Sequence, residues 1–283
     1  MPGLTKKKRR YCKDAWEKRK YSLGVLLMIV FCLQVAALDH SCPLNNKIGF
    51  GLGSGYFSKG LISVPAAQWI GSGPAFDLFM ERESGRVIHS LDLSFGRAGG
   101  IRRSGRKWPG DNSFSWLPLQ YSLTSYSRRN AFGLERLNWG IGATVQWFRL
   151  REELEWQAGQ RTGHHDDLLG LGLNTGFRWL SGGRGCWRAM SNISISLAIP
   201  PLNRSVYRSD LAPDYRGSAF WGAVGFVLSV ERSVARRWSL GLLYQRQALF
   251  LLRTLEKRLS FAEMYSAGNF LLTQLTLRIG YHW

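Results

Sequence analysis

From about residue 47 to its end the chain alternates apolar residues with polar or small ones, two by two. "KIGFGLGSGY" puts Ile48, Phe50 and Leu52 on one face and Gly49, Gly51, Gly53 and Gly55 on the other. "LNWGIGATVQWF" sets Leu137, Trp139, Ile141, Ala143, Val145 and Trp147 against Asn138, Gly140, Gly142, Thr144 and Gln146. "LLGLGLNTGFRW" and "NFLLTQLTLRIGYHW" repeat the pattern. A period of two is the pattern of a β-strand with chemically different faces. No long helical stripe competes with it, although "LLRTLEKRLSFAEMY" (251–265) has the composition of a short helix.

Ten such segments are visible, near 47–56, 74–82, 86–97, 115–126, 135–150, 168–180, 186–199, 218–230, 237–248 and 269–283. The joints between them alternate in length. Residues 57–73, 98–114, 151–167, 200–217 and 249–268 form long joints; 83–85, 127–134, 181–185 and 231–236 form short ones. An even number of strands with short turns at one end and long loops at the other predicts an all-β, up-and-down antiparallel transmembrane barrel. The expected strand number is about ten, within a range of eight to twelve. With ten strands both chain ends lie on the short-turn, periplasmic side.

The start of the chain fits export. Residues 6–20 carry nine Lys/Arg and two acids, and "SLGVLLMIVFCL" (22–33) is an unbroken apolar run. Val35 and Ala37 are small where a signal peptidase reads. The run is short for a spanning helix, which takes roughly 20 residues. The expected organisation is a signal peptide at 1–37, a short periplasmic segment at 38–46 and the barrel at 47–283. An uncleaved signal anchor is the other reading of this leader.

Removing the leader changes the charge but not its sign. The whole chain is +19 and the leader contributes 9 − 2 = +7, which leaves +12. An exported basic chain meets anionic lipid rather than nucleic acid, so outer-membrane lipid and lipopolysaccharide are the expected partners, with no nucleic acid. Only Cys42 and Cys186 remain, enough for one disulfide and too few for a disulfide scaffold. No zinc spacing and no phosphate-binding loop is present, so neither a metal nor a cofactor is expected. The number of subunits is left open.

Alternation alone does not distinguish a membrane barrel from a soluble β-sandwich. The tryptophans do. Trp139, Trp147, Trp179, Trp187, Trp238 and Trp283 lie towards strand ends on the apolar face, which suits interfacial girdles better than a central core. The last strand, "QLTLRIGYHW", resembles the C-terminal strand of bacterial outer-membrane β-barrel proteins, with Leu275, Leu277, Ile279, Tyr281 and Trp283 on the matching positions. That resemblance implies the outer membrane as location and the barrel-assembly machinery as the partner that reads this segment. It implies no activity.

On this register Asp77, Glu81, Asp92, Arg178, Arg188 and Arg278 point into the lumen, acids on early strands and arginines on later ones. A buried charge needs a partner, so pairing across the lumen is expected. The inward glycines leave room for a narrow polar channel as the alternative. Arg97, Arg102, Arg103, Arg106 and Lys107 cluster in the second long joint, Arg204, Arg208 and Arg216 in the fourth, and Arg253, Lys257 and Arg258 in the fifth. Guanidinium forks match phosphates, which makes these loops candidates for lipopolysaccharide contact. Ten strands is also the barrel size of the omptin proteases, which carry Asp and His on the outer rim. The nearest material is "GHHDD" (His164, His165, Asp166, Asp167) with Asp210 and Asp214. The flanking residues differ from the omptin motifs, so no catalytic residue is assigned. The expected role is structural or surface-interacting, ahead of a small-pore transporter and a rim protease or lipid hydrolase.

Overall fold

The computed structural model describes residues 46–61, 64–103, 105–107, 110–155, 159–181, 186–199, 202–210, 212–235, 237–257 and 263–283. Residues 1–45, where the signal peptide and its cleavage site are expected and where Cys42 lies, and Arg258 are outside the described residues. Twelve strands follow in order: β1 (Asn46–Leu61), β2 (Val64–Ser84), β3 (Val87–Arg103), β4 (Arg106–Lys107), β5 (Ser113–Asn130), β6 (Leu137–Glu155), β7 (Arg161–Leu180), β8 (Trp187–Ala198), β9 (Arg204–Ser209), β10 (Ala212–Ala235), β11 (Trp238–Lys257) and β12 (Glu263–His282). One 3-10 turn, Ala131–Gly133, sits between β5 and β6.

Each strand pairs antiparallel with its neighbours, and β12 closes the ring on β1 from Lys47↔His282 to Leu61↔Gly268. Closure pairs the two edge strands, whose backbone groups would otherwise be unsatisfied in lipid. β8 and β9 are two halves of one ring position, because both lie between β7 and β10. Asn203 stands at the break and accepts hydrogen bonds from the Leu169 amide at 2.5 Å and the Trp221 indole at 3.2 Å. β4 is a two-residue return on the end of β3. The ring therefore holds ten strands. Cys186, buried just before β8, is disulfide-bonded.

The long joints are mostly not loops. β1 and β2 continue to Leu61 and from Val64, β6 and β7 to Glu155 and from Arg161, and β11 and β12 to Lys257 and from Glu263. The helix anticipated over 251–265 is strand at 251–257 and again at 263–265. A twenty-residue strand such as β7 rises about 66 Å; tilted by roughly 40° it reaches about 50 Å along the barrel axis, twice the apolar band of an outer membrane. About half of the wall therefore stands beyond the bilayer.

The chemistry of the two faces inverts at that level. In β6 the outer row runs Trp139, Ile141, Val145, then Arg149, Arg151 and Glu153, while the inner row runs Thr144, Gln146, then Phe148 and Leu150. Within the bilayer the wall is apolar outside and polar inside. Above it the wall follows the rule of a water-soluble barrel and packs an apolar core. Phe57, Ile101, Phe114, Trp116, Phe148, Leu168, Trp221, Leu249, Leu251 and Phe270 make that core. Phe57 and Phe114 stack at 3.9 Å between centroids, and Phe148 meets Trp221 edge-on at 5.1 Å.

Orientation follows from the termini and short turns sharing one end. Protease added to intact cells is expected to cut within 98–114, 151–167, 200–217 or 249–268, at hairpin tips such as Gly105 and Gly159. It is expected to spare 83–85, 181–185 and 231–236. Fragments ending in the short turns would show the barrel to be inserted the other way up.

Candidate functional site

The lumen has three tiers. The periplasmic tier is charged. Arg178 donates to Glu83 at 2.7 Å and Arg188 to Glu81 at 2.5 Å, both across the barrel from β7 and β8 to β2. Arg188 also donates to Glu231 at 3.0 Å, and Lys47 bonds Glu231 and lies 3.2 Å from Glu81. Ser239 donates to the same Glu231 carboxylate. Arg278 takes Asp92 at 2.9 Å and Asp77 at 2.5 Å. Its Nε–H is not aligned with Asp77, so that contact is a charge pairing rather than a hydrogen bond. The arginines also lie on aromatic rings, Arg178 over Tyr126 at 4.8 Å and Arg278 over Phe79 at 4.4 Å.

All six lumen charges named from the sequence lie in this tier, and each faces an opposite charge. Lys47, Glu83, Glu231, Ser239 and His282 complete it and were not anticipated. The sequence pattern puts Glu231 in a short turn, 231–236; β10 instead runs on to Ala235 and keeps its alternation, which turns Glu231 inward.

The middle tier is neutral and polar. Gln146 donates to Gln120 at 2.8 Å, Gln247 to Gln146 at 3.3 Å, and Thr124 to Asn174 at 3.2 Å. Several of the inward glycines do not leave empty space. The Phe79 ring fills the space a Cβ at Gly49 would take, Trp116 that at Gly55 and Gly96, and Trp221 that at Gly170. Each glycine is small because a large side chain from another strand lies against it. The sequence expectation names neither Trp116 nor Trp221 among the lumen residues. Each continues the inward row of its strand, Trp116 with Ser122 and Thr124, Trp221 with Ala219 and Ala223. Above them, the apolar core forms the third tier.

At the outer mouth two buried ion pairs cap this core. Arg253 donates to Asp166 at 2.8 and 2.6 Å, Ser205 donates to the same carboxylate, and Lys59 meets Glu152 at 2.6 Å. Arg253, grouped with the loop cations by sequence, is instead turned inward and 1% exposed. Burial alone would raise the Asp166 carboxyl, but the Arg253 guanidinium beside it holds it below the usual carboxylate range.

The four residues of "GHHDD" do not converge, because alternation sends them to opposite sides of the wall. His164 and Asp166 face inward. Asp167 faces outward and accepts from Arg149 at 2.8 Å. Asp210 caps the start of β7 by accepting the Arg161 amide at 2.8 Å, and Asp214 lies 3.8 Å from Arg208. His164 stands at the mouth against Tyr207, 4.9 Å between ring centroids. Burial, then Arg253 and Lys59, push its imidazole well below its ordinary value, so it is neutral at physiological pH. Its Nδ1 has no hydrogen-bond partner among the described residues.

The basic cluster of the second long joint forms a short hairpin. An extra residue at Gly99–Gly100, with Gly100 at φ +58°, shifts the register, turns Ile101 into the core and leaves Arg102 outside. The return at Gly105, φ +84°, sets Arg102 opposite Lys107 and Arg103 opposite Arg106. Arg103 lies over Trp69 at 5.4 Å. Arg102, Arg106 and Lys107 are exposed and form no ion pair among the described residues. The terminal residues Leu275, Leu277 and Trp283 are about half-exposed on the lipid face, and Tyr281 packs edge-on against Trp238 at 5.1 Å.

A ten-stranded closed ring with an apolar outer belt and an ion-paired lumen defines the class: this chain has the outer-membrane β-barrel fold, and its place is the bacterial outer membrane. It is similar to the outer membrane protease OmpT of Escherichia coli, with 8% identity and a TM-score of 0.58 over 87% of this chain and 99% of that one. It also matches the translocator domain of the autotransporter NalP from Neisseria meningitidis, at 10% identity and a TM-score of 0.45 over 95% and 98%. Neisserial surface protein A matches at 10% identity and a TM-score of 0.37 over 83% and 97%. No protein-family model and no curated protein matches the sequence.

Proposed function

We propose that this chain is a closed-lumen outer-membrane barrel that works at its outer surface, where the basic hairpin Arg102, Arg103, Arg106 and Lys107, with Arg97 below it, contacts the phosphates of lipopolysaccharide. One observation carries the reading: like charges stand directly opposite each other across a two-strand pair. Such an arrangement is destabilising unless an anion lies between them. The filled lumen supports the same reading against transport. Leu275, Leu277, Ile279, Tyr281 and Trp283 are taken as the segment that the barrel-assembly machinery binds.

The test has two arms. In planar bilayers the purified protein is expected to give no discrete channel steps; regular steps in the parent would turn the reading to the small-pore transporter. The triple variant Arg102→Gln, Arg106→Gln, Lys107→Gln is expected to lower co-purifying lipopolysaccharide about tenfold or more, since each charge-assisted phosphate contact is worth roughly 1.5–3 kcal/mol. Unchanged lipopolysaccharide in the folded variant would remove the proposed contact.

The Nδ1 of His164 at the mouth, without a hydrogen-bond partner among the described residues, favours a second reading, a rim hydrolase in which this imidazole takes a proton from water, although the burial that keeps the ring neutral also weakens it as a base. The tie between Asp166 and Arg253 weighs against it, because it leaves His164 without an orienting carboxylate. Hydrolysis of surface peptides or lipid esters that disappears with His164→Ala, but survives His165→Ala, is the result that would establish it.

A further inference from the structure

We infer that the outer wall formed by β2, β3 and β5 holds one phospholipid of the periplasmic leaflet, with its phosphate on Arg82 and its acyl chains along Met80, Leu91 and Tyr121. These strands enclose a groove of about 440 Å³ on the lipid-facing side. Alternation places Met80, Arg82 and Ser84 outward on β2. Arg82 lies opposite His89, Met80 opposite Leu91, and Leu91 opposite Tyr121. The groove therefore has an apolar upper half and a cationic lower edge.

Its level fixes the leaflet. Ser84 is followed by the short turn Gly85–Arg86, so the lower edge belongs to the periplasmic end. On β5, Leu123 is in the same row as His89 and is the last apolar residue facing outward before Ser125. Arg82 thus sits where acyl chains give way to headgroups.

Two other arginines at this end are engaged by the protein. Arg232 stacks on Trp187 at 5.4 Å, and Arg237 donates to the Tyr281 hydroxyl at 3.1 Å. Arg82 is exposed and forms no ion pair among the described residues. An unneutralised guanidinium facing lipid attracts an anion, and a phosphodiester supplies one at this depth. His89 and Tyr121 share a hydrogen bond of 2.8 Å. Whichever atom donates, the pair keeps one further N–H or O–H for the same phosphate. A shaped groove beside a cation and a second donor distinguishes this place from ordinary annular contact.

The test is native mass spectrometry of the folded, delipidated full-length protein titrated with phosphatidylglycerol, and separately with diacylglycerol of the same chains. The parent is expected to hold one phosphatidylglycerol that survives dilution. Arg82→Gln is expected to weaken it about tenfold or more, the loss of one charge-assisted contact. Tyr121→Phe, which removes only the hydroxyl, is expected to weaken it severalfold. The hairpin variant Arg102→Gln, Arg106→Gln, Lys107→Gln is expected to keep it, which separates this site from the lipopolysaccharide contact. Equal binding by parent and Arg82→Gln, or diacylglycerol binding as tightly as phosphatidylglycerol, would overturn the inference.

Discussion

Glu231→Ala is expected to cost the barrel about 3–5 kcal/mol, the usual penalty for removing one partner from a buried ion pair. Lys47, Arg188, Glu81 and Glu231 form a neutral group of two cations and two anions, each at most 7% exposed. Without Glu231 both cations converge on Glu81 alone, and the Ser239 hydroxyl loses the carboxylate it serves. One uncompensated positive charge then remains inside a ring whose outer wall faces lipid. The measurement is the urea midpoint of the folded barrel in lipid, followed by its heat-modifiable gel shift. Glu231→Gln, which keeps an acceptor for Ser239 while losing the charge, should fall between parent and alanine variant. A midpoint within error of the parent would mean that water in the lumen solvates these groups and that the tier adds little to stability.

Deleting Trp283 is expected to remove most of the protein from the outer membrane, an effect on assembly larger than any on stability. Trp283 is 59% exposed at the end of the lipid face, and its amide reaches the Asn46 carbonyl at 3.3 Å. Burying such a side chain in the interface contributes about 1–3 kcal/mol by area. Loss of that amount alone leaves a weakened barrel in the membrane. Loss of a recognition signal leaves unassembled chain in the periplasm instead. Comparing Trp283→Phe, Trp283→Ala and the deletion separates the two, with outer-membrane fraction and gel shift as readouts. Phe should preserve assembly, while Ala and the deletion should reduce it sharply. If all three reach the membrane at parental levels, Trp283 is a packing residue only.

The period-two pattern by itself pointed to an all-β chain of about ten strands, showed which residues of each segment share a face, and marked alternating short and long joints. It did so because side chains alternate strictly along a strand, so one face of every segment can be read without knowing its neighbours. The change of sides in "WFRLREELE", where Phe148 and Leu150 fall inward and Arg149 and Arg151 outward, was also written there. Its first four residues fall in the fifth segment, 135–150, and the rest in the third long joint, because the charged residues on the outward face end the apolar-outside alternation there.

Ring closure decided the rest. Arg188 on β8 meets Glu81 on β2, and Arg253 on β11 meets Asp166 on β7, because curvature brings distant strands face to face across the lumen. Closure and register together set Trp116 against Gly55 and Gly96, so glycines that read as empty space lie against a large side chain from another strand. The separation of the two histidines and two aspartates of "GHHDD" to the inside and outside of one wall needs only the alternation along β7. A one-dimensional pattern states which way a side chain points; which partner stands opposite depends on the diameter and register of the closed ring, and only the tertiary structure has those.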